Sequence, residues 1–271
     1  MSERWIVGTD GSDQSLAALR WAVRQSSGRQ VRIESVHAES STVGDRLMRA
    51  VRRLWRRGAH EPDGYRADRD VLDVSADGPA GPALVRAASG AALLVTGRHG
   101  AGGGWRNALG SVSRYCVTHA TTPTVVVPPG VSDVPVGRIV VGFDGSANSR
   151  AALAWALHFA GAGVDVSALI AIEIAPWLQE DIVHVRLSDE LEAERERLLG
   201  LLAAADPDGR ARPDVVVRGA KPALARSAES ADLVVVGARG TGLLSGMGSV
   251  STWLLEASPC PIAVVPHPAG N

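Results

Sequence analysis

The residues of this sequence best suited to chemistry are three glycines and their neighbours: Gly97-Arg98-His99-Gly100, nine further residues, then Gly110-Ser111. Glycines let a backbone come close to a phosphate and turn its amides inward. Ser111 stands where a helix begins, and the free amides and dipole of a helix start favour an anion. Ser111 and Ser113 add hydroxyls, while Arg98, His99 and Arg106 add positive or protonatable groups. The chemistry this pattern offers is the holding of phosphates. A second group is Val7-Gly8-Thr9-Asp10-Gly11-Ser12, a carboxylate directly after an apolar run. Asp10 reads either as a turn residue, since Asp-Gly is common after strands, or as a ligand residue. The glycines likewise read either as phosphate cradle or as plain loop geometry.

Motifs for catalysis are absent. There is no G-x-x-x-x-G-K-[S/T] phosphate loop, and Lys221 is the only lysine in the chain. Neither H-E-x-x-H nor C-x-x-C nor a G-x-S-x-G elbow occurs. No G-x-G-x-x-G follows the first strand. A carboxylate near phosphates leaves slow hydrolysis open, and no motif points to efficient catalysis.

What must position these residues is an internal repeat. Ile6-Val7-Gly8-Thr9-Asp10-Gly11-Ser12 returns as Val140-Val141-Gly142-Phe143-Asp144-Gly145-Ser146. Ala17 to Ala22 matches Ala151 to Ala156, and Leu93 to Gly100 matches Leu233 to Gly240. Gly110-Ser111-Val112-Ser113 returns as Gly248-Ser249-Val250-Ser251, and Pro123 to Pro128 as Pro261 to Pro266. The blocks keep their order, so the chain is a duplication. The expected domains are 1–129 and 138–271, joined by a proline- and glycine-rich linker at 130–137.

Within the first copy, strands are expected at Arg4–Gly8, Val31–His37, Val71–Ser75, Ala92–Gly97 and Thr124–Pro128. Helices are expected after Ser12 or Asp13 as far as Ser26, and at Gly44–Arg57, Ala80–Ser89 and Ser111–Ala120. Apolar strands alternating with helices imply parallel pairing through right-handed crossovers. The fold class is α/β: two tandem, doubly wound, Rossmann-like sheets of five parallel strands in the order 3-2-1-4-5. In such a sheet a ligand lies at the carboxyl ends of the strands where the order reverses. Strands 1 and 4 flank that point, so the loops holding Asp10 and Gly97–Gly110 meet there.

Length and composition agree. A chain of 271 residues with 45% hydrophobic content supports two cores. A formal net charge of -1 gives no general attraction to nucleic acid or to an acidic membrane surface. Cys116 and Cys260 lie at non-equivalent places in the two copies, so no disulfide framework is expected. The first residues lead straight into a strand with no signal-like apolar region, and no run approaches a membrane span. A cytoplasmic protein is expected.

The pattern G-x2-G-x9-G-[S/T], together with an early strand ending V-G-x-D-G-S, resembles the universal stress protein family in its tandem two-domain form, across essentially the whole chain. The resemblance implies ATP, with Mg2+, in the crevice and a role as a nucleotide-linked stress sensor or regulator. It assigns the nucleotide to Asp10, Ala38, Gly97, Arg98, His99, Gly100, Gly110, Ser111, Val112 and Ser113 in the first copy. In the second it assigns Asp144, Gly237, Gly240, Gly248, Ser249 and Ser251, and Asp10 is also the expected contact of a metal. It further implies pairing of the two domains through their last strands and leaves open a homodimer of such chains. The second copy departs from the pattern, because only seven residues separate Gly240 from Gly248. Two other readings stay beside the sensor: a slow ATP-hydrolysing or self-phosphorylating enzyme, and a nucleotide-free scaffold.

Other conspicuous residues have plainer readings. His37 at a strand end is read as packed or backbone-bonded, and Trp21 and Trp155 as core or interdomain contacts. Arg49, Arg52, Arg53, Arg56 and Arg57 are read as a solvated helix face in preference to a nucleic-acid patch, Cys116 as a small packed hydrophobe, and Cys260 as inert.

Overall fold

The computed structural model describes residues 2–39, 71–100, 108–131, 134–173, 184–238 and 247–267. The helix expected over Gly44–Arg57 lies outside the described residues, as do Arg106 and Gly240. The chain divides into two compact units, Met1–Val134 and Pro135–Asn271.

The first unit contains β1 (Glu3–Gly8), α1 (Asp13–Ser26), β2 (Val31–Glu39), β3 (Val71–Asp77), α2 (Ala80–Ala87), β4 (Leu93–Gly97), α3 (Ser111–His119) and β5 (Thr124–Val127). Its sheet runs β3-β2-β1-β4-β5, with every neighbouring pair parallel. Strands covered on both faces read as unbroken apolar runs. All five residues of β4 and all four of β5 are buried.

One face carries α1, which packs on β1, β4 and β5. Its buried positions, Ser15, Ala18, Trp21, Ala22 and Gln25, recur at helical spacing. The other face carries α2 and α3 over a cluster of Ile6, Val36, Leu84, Ala88, Leu94, Cys116 and Ala120. The expected core roles of Trp21 and Cys116 follow from these contacts. Strands β2 and β3 each run two residues past their apolar ends, because His37, Ala38 and Glu39 pair in register with Ser75, Ala76 and Asp77. A partner ladder sustains a strand beyond the point where hydrophobicity marks it.

The second unit repeats the plan with β6 (Arg138–Gly142), α4 (Ala147–Phe159), β7 (Asp165–Ile172), α5 (His184–Ala205), β8 (Ala211–Val217), α6 (Ala220–Ala228), β9 (Leu233–Gly237), α7 (Ser249–Ala257) and β10 (Ile262–Val265). Its order is β8-β7-β6-β9-β10, again all parallel. Trp155 is half-buried and stacks on Phe159 with ring centroids 4.9 Å apart. Among the described residues no helix is long and apolar enough to cross a membrane.

Candidate functional site

In the first unit β1 and β4 are neighbours whose helices leave on opposite faces, which makes a crevice at their carboxyl ends. The loop after β1 is built by Asp10 and Ser12. Asp10 Oδ1 accepts from the Ser12 amide at 2.9 Å and from the Ser12 hydroxyl at 2.6 Å. Ser12 is also the N-cap of α1, its hydroxyl accepting from Ser15 N. Gly11 between them has φ of 81°, in the left-handed region that a side chain rarely adopts. The turn reading of Asp10 is therefore realised through Oδ1, while Oδ2 is turned toward the glycine loop. A Cβ on Gly100 would stand 2.5 Å from Asp10 Oδ2.

The glycine loop is anchored at both ends. Arg98 N donates to Val127 O at 2.9 Å, and Gly110 N returns to Arg98 O at 2.9 Å. Ser113 Oγ donates to Gly97 O at 2.6 Å, and His99 N donates to the side chain of Gln14 in α1 at 2.9 Å. Close approach explains two glycines. A Cβ on Gly97 would lie 2.9 Å from Gln14 O, and one on Gly110 would lie 3.0 Å from Arg98 O.

The structure thus brings Asp10, Gly97, Arg98, His99, Gly100, Gly110 and Ser113 together in one crevice. Gly110 caps α3 without any side-chain bond, so the first amides of that helix rely on other partners. Ser111 is exposed there and Val112 is half-buried. Ser113 spends its proton on Gly97 O and so acts on the path of the loop. Ala38 is half-buried near the end of β2, in register with Ala76. Among the described residues the His37 side chain bonds another side chain rather than the backbone: its Nε2 lies 3.0 Å from Ser75 Oγ.

Two features escaped the reading of the sequence. Arg98 is 8% exposed, so its cation enters the protein. Thr96 is buried on the face of β4 that carries α3, and its hydroxyl has no partner among the described residues. The one signal was a threonine interrupting Leu93-Leu94-Val95, where the second copy has Val236.

The second unit keeps the anchors. Ala238 N donates to Val265 O at 2.8 Å, Gly248 N to Ala238 O at 2.9 Å, and Ser251 Oγ to Gly237 O at 2.9 Å. Asp144 Oδ1 accepts from Ser146 N at 3.0 Å. Ser249 opens α7 after Gly248, an N-cap with no side-chain bond. Eleven residues separate Arg98 from Gly110 and nine separate Ala238 from Gly248, so the shortening falls wholly between preserved anchors.

The surroundings differ. Asn148 takes the place of Gln14, and its Oδ1 lies 2.9 Å from His267 Nδ1. Ala238 replaces the buried Arg98. A Cβ on Gly145 would be 2.6 Å from Leu201 of α5, so that leucine packs directly on the turn. Among the described residues no three His, Cys, Asp or Glu side chains converge as a metal site.

The fold and its loops define a class: doubly wound α/β domains in tandem, each with a glycine loop anchored across its own switch point. The chain belongs to the universal stress protein family, whose pattern it matches over residues 1–128 and again over 135–266. It is 32% identical over 291 residues to a universal stress protein of Mycobacterium tuberculosis (strain H37Rv), covering 96% of this chain and 95% of that one. A universal stress protein of Mycobacterium bovis is 30% identical over 289 residues, with the same coverage. Among solved structures, a universal stress protein from Archaeoglobus fulgidus superposes with a TM-score of 0.69 at 16% identity, covering 99% of this chain and 100% of that one.

Proposed function

We propose that the first unit binds ATP together with Mg2+ and that the chain works in the cytoplasm as a nucleotide-linked stress sensor or regulator. The observation that carries this reading is the closure of the glycine loop on Asp10. The loop is tied at Gly97, Arg98 and Gly110, and Gly100 leaves no room for a side chain against the carboxylate. A loop held at its ends, beside an α3 start whose N-cap is a glycine, suits phosphate oxygens better than a connector would need. Arg98 and His99 border the phosphate side, and Asp10 is the carboxylate that would meet a phosphate-bound metal. The buried hydroxyl of Thr96 supports a polar group in the crevice, since such a hydroxyl is costly without one. Ala38, Ser111 and Val112 are assigned to the nucleotide's periphery. Binding would order the loop, and the changed surface would be read by a partner.

The second unit is assigned a structural part. It keeps Asp144, Gly237, Gly248, Ser249 and Ser251, but it has lost the counterparts of Arg98 and Thr96 and two residues of loop.

The experiment is to denature the purified chain, count released nucleotide by chromatography, and titrate emptied chain with ATP and Mg2+. Gly110→Ala and Gly248→Ala variants are run beside it, with circular dichroism confirming that each folds. One ATP per chain, lost only in Gly110→Ala, is expected. Two per chain would give the second unit a working site. No nucleotide and no binding would overturn the reading and leave a duplicated scaffold.

A further inference from the structure

The second unit contains two unpartnered surfaces of opposite charge that cannot meet within it. The first is the N-terminal half of α5. Between Asp189 and Arg197 no residue is buried, and the next residue, Leu198, reaches the core. This stretch carries Asp189, Glu190, Glu192, Glu194 and Glu196 against Arg195 and Arg197. Both arginines are engaged inside it, Arg195 with Glu192 and Arg197 with Glu194, each at 2.6 Å. Asp189, Glu190 and Glu196 make no ion pair among the described residues.

The second surface is a groove of about 600 Å3 between α6 and α7, lined by Lys221, Arg226, Glu229 and the half-buried Trp253. Comparison with the first unit shows what is special about it. There Gly81 occupies the place of Lys221, and the ring of Tyr115 lies directly on it, 2.8 Å from where a Cβ would be. In the second unit the helix presents a lysine, the facing aromatic is Trp253, and the groove stands open. Lys221 lies in the first turn of α6, whose N-cap Gly219 has no side-chain bond. A cation at a helix start opposes the helix dipole, and a carboxylate brought there relieves both. Lys221 and Arg226 make no ion pair among the described residues. Tryptophan and arginine are the residues that most often carry the binding energy of protein contacts.

We propose that the groove of one chain receives the acidic stretch Asp189–Arg197 of a second copy of this chain. α4 and α5 pack together on one face of the sheet, and α6 and α7 pack together on the other. The acidic stretch and the groove of one unit therefore cannot satisfy each other. The order of charges selects the direction. Along α6 the signs run positive at Lys221, positive at Arg226 and negative at Glu229. Along α5 they run negative at Asp189 and Glu190 and end positive at Arg197. The two helices thus lie with Asp189 toward Lys221 and Arg197 toward Glu229, and Leu191 is the apolar residue available to Trp253. The two surfaces lie on opposite faces of the sheet, so the contact is heterologous and joins chains head to tail. The contacts are small and charged, so the association is weak and salt-sensitive.

The test is sedimentation of the full chain from about 1 to about 200 µM at low salt. Lys221→Glu/Arg226→Glu, Asp189→Lys/Glu190→Lys and the chain carrying all four changes are run in parallel. All four side chains are exposed, and circular dichroism checks each fold. Association that grows with concentration is expected for the unchanged chain, monomers for either double variant, and association again for the fourfold variant, whose charges are complementary once more. A chain that is monomeric throughout overturns the proposal. So does association that survives both double variants, because its interface then lies elsewhere. Neither result bears on nucleotide binding by the first unit.

Discussion

Asp10 Oδ2 and Gly100 are separated by less than one side-chain atom requires: a methyl carbon at position 100 would sit 2.5 Å from that oxygen. Asp10 cannot swing aside cheaply, because Oδ1 is held by the amide and hydroxyl of Ser12. Gly100→Ala should therefore destabilise the first unit by about 1–3 kcal/mol, the usual cost of overpacking. Asp10→Ala removes the obstacle. In a cycle of the two single variants and the double variant, urea unfolding should show the loss from Gly100→Ala shrinking once Asp10 is alanine. Strictly additive losses would mean that the two residues do not meet.

Ser113 and Ser251 do the same work in the two units, each donating to a buried glycine carbonyl at the end of a strand. Replacement by alanine leaves Gly97 O or Gly237 O without that donor. Such a loss costs about 1–3 kcal/mol. Thermal unfolding of Ser113→Ala and Ser251→Ala should show comparable losses, while bound nucleotide falls in Ser113→Ala only. Equal loss of nucleotide in both variants would place a working site in each unit.

Much of this was legible in the sequence. The repeat, the strand order and the Ser12 cap follow from apolar runs and turn residues, which report local geometry directly. The meeting of Asp10 with the glycine loop follows from the strand order, because the order alone decides which loops are neighbours. Less legible was which groups bond to which. Ser113 sits one turn into α3 and looks like a donor to a ligand, yet its proton is taken by Gly97. His37 finds Ser75 across the β2–β3 ladder, a pairing that depends on register. The burial of Arg98 and the open groove at Lys221 arise from packing between segments far apart in the chain, where spacing carries no information.

Thr96 and Val236 occupy equivalent positions and differ by a hydroxyl in place of a methyl. The hydroxyl of Thr96 is buried with no partner among the described residues. In emptied chain, Thr96→Val should raise stability by about 1 kcal/mol, since it removes a desolvated polar group at nearly constant volume. Val236→Thr should lower it by a similar amount. If the hydroxyl serves bound nucleotide, Thr96→Val should also weaken ATP binding, which a titration reads separately from the melt. A destabilised, emptied Thr96→Val chain would show that the hydroxyl already has a partner.

Cys116 and Cys260 are both buried, and burial pushes both thiols up, that of Cys116 from 9.0 to about 12. A group whose pKa is raised by folding holds its proton longer in the folded chain than in the unfolded one. Its contribution is fully present below about pH 9 and is lost as pH rises toward 12. Two outcomes follow. Neither thiol should react with a disulfide reagent in the folded chain near neutral pH, and both should react after unfolding. Stability should fall across the alkaline window, and the fall should be shallower in Cys116→Ala, although that variant starts lower because of its cavity. Urea midpoints of the two chains, compared at several pH values, separate the constant cavity cost from the pH-dependent part. Parallel curves would mean that the thiol of Cys116 ionises as readily in the folded chain as in the unfolded one.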